Sequence, residues 1–262
     1  MFELLKKSFL QTLNVNAVML GILLQAVVFA YWNILGENLL NFLRSIAMQN
    51  IAIGGDLPML YFYMQQSTFW ISFFILSAIA TFLAMVVYFA YANYAKGLTA
   101  KEALSMALKK LRHAAALVVV LFSIQIMLFG INTIFMNITP TIALLISLIL
   151  WIVIFYAFIR FSLIIPILAL ERRRVKKGLQ KAWELSKGNT LKIVGIFLAF
   201  LLVMVCVYAV GDFLEWFYAI TGLEFYLGNI NLVMEVTDAL LNTIHIGFLP
   251  IALTNLYLNL SK

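Results

Sequence analysis

The chain has 262 residues, 65% of them hydrophobic and only 11% charged, whereas a soluble domain of this length carries about 25% charge. That composition excludes an ordinary soluble enzyme core. The net charge of +7 does not make a nucleic-acid patch, because the basic residues are dispersed as an orientation signal along an apolar chain.

A hydrocarbon layer of roughly 30 Å requires about 20 apolar residues per helix. Six blocks qualify, at about 17–36, 69–92, 114–136, 141–170, 190–211 and 236–258. The expected fold is therefore all-α: a polytopic membrane helical bundle with six transmembrane helices, 1–262 forming a single integral membrane domain. The first block follows Lys6 and Lys7 in the manner of a signal peptide. It has no small-residue cleavage site and ends on Tyr31-Trp32, an interfacial anchor, so it is expected to remain as a helix. Residues 37–49 then suggest a separate interfacial helix, broken by Gly54, Gly55, Asp56 and Pro58. Asn137-Ile-Thr falls in a very short connection that makes the third and fourth blocks a hairpin. The fourth block would measure roughly 45 Å as a straight helix, so Pro166 is expected to kink it. Cys206 stands alone in the fifth block, which excludes an internal disulfide or a cysteine metal cluster; it is expected to be a buried small residue.

Charge placement sets the expected topology. Lys6 and Lys7, the group from Lys96 to Arg112, the group from Arg172 to Lys192, and Lys262 together hold 16 of the 18 Lys and Arg. An even number of spans puts all of them on one side. Glu37, Asp56, Asp212, Glu215 and Glu224 favour the other. The positive-inside rule then places both termini in the cytoplasm and the protein in the cell membrane. Lys109, Lys110, Arg112, Arg172, Arg173, Arg174, Lys176 and Lys177 become candidate contacts for anionic lipid headgroups at the inner face.

The basic segments share a design. Residues 99–112 and 174–188 each place apolar residues on one helical face and Lys or Arg off it, as an amphipathic surface helix does. The N-terminus fits the same register: Leu5 aligns with Leu179, Lys7 with Lys181, Phe9 with Trp183 and Gly21 with Gly195, while Leu104 aligns with Leu179 and Ala107 with Ala182. The chain reads as a threefold repeat of surface helix plus helical hairpin, at about 1–95, 96–170 and 171–262.

Residues 160–197, RFSLIIPILALERRRVKKGLQKAWELSKGNTLKIVGIF, and the ending PIALTNLYLNL at 250–260 resemble the membrane domain of prokaryotic glycerophosphoryl diester phosphodiesterases and their stand-alone relatives. The resemblance rests on Arg160, Pro166, Glu171, Ser186 and Gly188, and on a Tyr in the last helix. It implies the six-helix module. There is no room here for the soluble phosphodiesterase barrel, so it does not imply phosphodiesterase activity.

Two features could carry chemistry. Arg160 is an ionisable group inside a span, and it could snorkel to phosphate, pair structurally with another helix, or bind a headgroup or substrate. On the sixth block, Asn231, Glu235, Asp238, Asn242 and His245 fall within roughly an 80° sector. That polar stripe could hydrogen-bond between helices, line a vestibule for a polar or cationic solute with His245 as a proton-linked switch, or contribute metal ligands. The spread of Glu235, Asp238 and His245 over about 15 Å opposes one shared ion, and no metal or cofactor is expected. His113 is expected at the surface. No HExxH, phosphate-binding loop or nucleotide-binding glycine motif is present.

Three functions remain open: a non-enzymatic scaffold, accessory or lipid-organising module; a transporter or channel for a small polar or cationic solute; and a lipid-acting membrane enzyme. The lipid bilayer is the expected partner. A protein partner or a homo-oligomer stays open.

Overall fold

The computed structural model describes residues 1–52, 59–136, 140–171, 173–221 and 230–261, with side chains left undescribed at 37–52, 59–70, 125, 128–136, 140–147, 215, 218, 219, 221 and 230–236. Among the described residues every regular element is a helix. In chain order they are α1 (Phe2–Thr12), α2 (Val15–Ala52), α3 (Met59–Ala95), α4 (Ala100–Leu108), α5 (Leu111–Met136), α6 (Pro140–Phe161), α7 (Ile164–Leu170), α8 (Val175–Lys187), α9 (Thr190–Thr221) and α10 (Ile230–Leu260). Within them, Val15–Gly36, Ile71–Ala95, Leu148–Leu170, Thr190–Leu214 and Thr237–Leu260 are long and apolar enough to cross a membrane. α5 contributes the shorter described apolar stretch Leu111–Ile124, so a bundle of six spans accords with the helices seen.

The order of short helix, long helix, long helix occurs three times, opened by α1, α4 and α8. The short helices bury small residues at one shared register: Ser8, Ala107 and Ala182 are all fully enclosed. Small side chains there let each surface helix lie close on the helices beneath it.

Several boundaries differ from the sequence expectation. The segment at 37–49 is continuous with α2, since nothing in the chain stops the helix at Gly36. α4 ends at Leu108, and the chain turns through Lys109 and Lys110 into α5. The start of α4 carries a signal that the periodicity did not use. Thr99 accepts from the Glu102 backbone N–H, and the Glu102 carboxylate accepts from the Thr99 backbone N–H, a reciprocal capping box.

Pro166 does break the fourth block, four residues upstream of itself. The Pro ring excludes the carbonyl of residue i−4 and offers it no N–H, and that residue is Ser162. α6 ends at Phe161, Ser162 closes a tight turn onto the Ile159 carbonyl through both its N–H and its hydroxyl, and α7 begins at Ile164.

Two compact units are formed, Leu24–Ala84 and the remainder, Met1–Leu23 with Met85–Lys262. In the first, the two helices are tied by a hydrogen bond of 2.9 Å between the Tyr31 and Ser77 hydroxyls. The second holds a core of Phe89, Tyr91, Leu163, Ile167, Leu168, Ile193, Ile196, Phe248 and Ile251. Its helices cross tightly: a Cβ on Gly21 would lie 2.5 Å from Thr243 Cβ, and one on Gly178 would lie 2.7 Å from Leu168 Cδ2. α1 is joined to α10 by polar groups, with Asn255 Nδ2 donating to Ser8 Oγ at 2.9 Å and to Gln11 Oε1 at 2.7 Å.

Leu198, Leu201, Leu202 and Val205 of α9 point outward, as do Ile149, Ile152, Val153 and Phe155 of α6. An unpartnered apolar flank of this extent belongs against lipid. Cys206 is exposed on it. The expected buried cysteine is thus corrected: it faces outward because α9 turns its Leu-rich flank away from the bundle.

Candidate functional site

Two polar clusters meet α8, one of them at Arg160, the intramembrane cation that the sequence singled out. At its C-terminal half, Arg160 of α6 is buried to 6% exposure. Its guanidinium lies 4.3 Å from the Trp183 ring centroid and 5.5 Å from that of Tyr156. Nη1 donates to Ser186 Oγ at 3.4 Å. Nε is buried and has no acceptor among the described residues. α6 positions the cation because its helix ends just beyond it, at the Pro166 break, so the side chain emerges beneath the surface helix.

At the N-terminal half of α8, Lys181 meets Glu171, the residue closing α7. Glu171 accepts from Lys181 Nζ and from the Tyr257 hydroxyl of α10, and pairs with Arg173 through its second oxygen. Lys181 Nζ also donates to the Tyr257 hydroxyl at 3.3 Å and lies 5.4 Å from that ring's centroid. Burial alone would raise the Glu171 carboxyl. The hydrogen bonds from Lys181 and Tyr257, with the charges of Lys181 and Arg173, outweigh it and hold the carboxyl below its usual range. Lys110 donates to the Leu168 and Glu171 carbonyls, a cation set on the orphan carbonyls at a helix C-terminus. Glu171 thereby fastens α7, α8 and α10 at one point, with Lys110 of the α4–α5 turn beside it.

The remaining candidate headgroup contacts divide. Lys109, Arg112, Arg173, Arg174, Lys176 and Lys177 are exposed, while Lys110 is half-buried. Arg172 lies outside the described residues. His113, expected at the surface, is half-buried with Nδ1 enclosed and without a hydrogen-bond partner among the described residues, because α5 starts early enough to carry it into the helix.

The stripe on α10 is placed at Asp238, Asn242 and His245; the side chains of Asn231 and Glu235 lie outside the described residues. Asp238 and Asn242 line a small pocket of about 110 Å³ between α9 and α10, with Asp212, Tyr208 and Gly211 opposite. A Cβ on Gly211 would lie 3.3 Å from Asp238 Oδ1, so glycine gives the carboxylate its room. About two turns deeper, His245 is buried at 8% exposure between the rings of Phe200 and Tyr208, 6.1 and 5.8 Å away. The described stripe is therefore turned onto α9. Among the described residues no three His, Cys, Asp or Glu come together as a metal site.

Sequence reasoning missed the Glu171–Lys181–Tyr257 cluster and the Ser8–Gln11–Asn255 cluster. The first had a signal in the acidic residue closing an apolar block before a basic helix. The second had none, since its members lie more than 240 positions apart.

The family model for the membrane domain of glycerophosphoryl diester phosphodiesterase matches residues 131–260. No curated protein and no solved structure matches the chain. The matched stretch holds Arg160, Glu171, Lys181, Ser186 and Tyr257, which meet at α8, together with Pro166. The chain is a multi-pass membrane protein whose residues 131–260 match the family of the membrane domain of glycerophosphoryl diester phosphodiesterase.

Proposed function

We propose that the protein is a non-enzymatic module of the cell membrane, both termini cytoplasmic, that organises anionic lipid at the inner face. The observation that carries this reading is the two-sidedness of α8. Gly178, Ala182 and Ser186 are enclosed and Lys181 is fixed to Glu171, while Arg174, Lys176, Lys177 and Lys187 stay exposed. A surface helix anchored on one side and cationic on the other attracts anionic headgroups, at about 1 kcal/mol per basic residue near the surface. The three surface helices, one opening each of the copies at about 1–95, 96–170 and 171–262 of one domain, would each bring basic residues to the inner leaflet.

The test is flotation with vesicles and lipid counting by native mass spectrometry after gentle extraction. Enrichment of phosphatidylglycerol over phosphatidylcholine is expected. It should weaken in high salt, since exposed charges are screened within about 10 Å at 0.1 M, and fall in the Lys176→Gln/Lys177→Gln variant. Equal recovery of both lipids by the wild-type chain would remove the reading.

The pocket between α9 and α10 favours a second reading, transport of a small cationic solute. Asp212 and Asp238 face each other there at the ends of two apolar stretches. Solute flux into vesicles that is unchanged in Asp238→Asn and His245→Ala would dismiss it.

A further inference from the structure

Arg160 stands apart from the other basic residues of this region, because its charge is enclosed and its hydrogen bonds are incomplete. A buried ion without a counter-ion is costly, by several kcal/mol after relaxation. The nearby carboxylates do not supply one. Glu171 is engaged by Lys181, Arg173 and Tyr257, and Glu184 accepts from Gln180. Ser186 is a neutral hydroxyl, itself donating to the Trp183 carbonyl, and meets only Nη1. The aromatic faces of Trp183 and Tyr156 attract the cation but accept nothing in the plane of the guanidinium. Left over is the side-on edge beside Nη2, whose Nε is buried with no acceptor among the described residues. Two parallel N–H groups on one edge of a planar cation match two oxygens of a phosphate.

The way in is from the flank. Tyr156 is 49% and Trp183 39% exposed, and both sit on the apolar side that belongs against lipid. Arg160 lies in the last turn of α6, just before the break at Ser162 and against the surface helix α8.

We infer that Arg160, walled by Tyr156 and Trp183, is a stoichiometric binding site for one phosphate oxyanion, taken through its Nε–Nη2 edge. The site deepens the lipid-organising reading and rests on it for the source of the phosphate, a phospholipid headgroup. Free phosphate has the same chemistry. Diffuse attraction by exposed lysines would hold many lipids weakly, whereas this edge holds one.

The full chain is purified in parallel into nanodiscs containing phosphatidylglycerol or a phosphate-free galactolipid, and retained lipid is counted by native mass spectrometry. The wild type is expected to keep one phosphatidylglycerol per chain and no galactolipid. Arg160→Lys keeps the charge but not the planar edge, so retention should fall on the order of tenfold; Arg160→Gln should lose it. The Arg160→Lys variant decides the matter if Arg160→Gln does not fold. Lys176→Gln/Lys177→Gln should retain the single lipid while losing vesicle enrichment. Inorganic phosphate that displaces the retained lipid supports the oxyanion site with the free ion as a competing source; undisturbed retention supports the headgroup as its ligand. Retention equal to wild type in both Arg160 variants overturns the inference, as does equal retention of the galactolipid. If vesicle enrichment depends on Lys176 and Lys177 while the Arg160 variants match wild type, the site fails and the broader reading stands. If the wild type shows no enrichment yet keeps one phosphatidylglycerol through Arg160, the reverse holds.

Discussion

At Gly21 a methyl group would stand 2.5 Å from Thr243 Cβ, a β-branched atom that cannot swing aside. Gly21→Ala gains up to about 1 kcal/mol of helix propensity, but overpacking a filled crossing typically costs about 1–3 kcal/mol. A net loss of thermal stability in detergent is expected. Gly188→Ala, with nothing within 4 Å, should not show it. Glu171 makes a separate prediction. Its carboxyl is held below the usual range in the folded chain, so its contribution is present above the ordinary carboxylate pKa and is lost as pH falls through the lowered one. Melting temperature should therefore drop on acidification below the ordinary carboxylate range. Glu171→Gln should lower stability at neutral pH and flatten that acid limb. An acid limb unchanged in the variant would assign it elsewhere.

At the scale of elements, Pro166 and Glu171 act together. The break at Ser162 re-aims α7 so that its last residue meets α8 and α10. Pro166→Ala would restore the missing N–H and allow α6 to run on, carrying Glu171 off its partners. In a double-mutant cycle, the stability losses of Pro166→Ala and Glu171→Gln should then be less than additive; full additivity would mean that the break does not position the acid. The sequence made the break foreseeable, because Pro acts through covalent geometry four residues away. Periodicity likewise located the spans and α8, since apolar length and helical facing are local properties. The meeting of Glu171 with Lys181 and Tyr257 was not legible, as it depends on which helices become neighbours. Lys110 shows the same limit: sequence marks it only as one more basic residue, yet tertiary placement sets it on the carbonyls of α7. The α10 stripe was legible as a stripe, but only packing shows that Asp238 and Asn242 face α9.

At the scale of the whole molecule, the lipid-facing flank gives a chemical test with the native sequence, because Cys206 is its single thiol and is exposed on α9. In intact vesicles it should resist a charged, impermeant maleimide, react with an apolar one, and react with both after detergent is added. Labelling by the charged reagent in intact vesicles would place the α9 flank in water. The start of α2 is joined to α4 by Ala100 N–H donating to Asn16 Oδ1 at 3.1 Å, and Lys110 beside α4 reaches α7.

The bond from Asn255 to Ser8 spans 247 positions, which has a consequence for biosynthesis. Ser8 and Gln11 lie in α1, and the side chain that engages them lies in α10, which is made much later. Until α10 is inserted, α1 holds those polar groups without that partner, and the crossing of Gly21 with Thr243 is equally empty. Each hairpin can enter the membrane as it emerges, but closure of the bundle waits until α10 has been made. Chains stalled before residue 240 should therefore be inserted yet remain sensitive to protease near residues 1–23. Full-length chains should become protected there in a single late step.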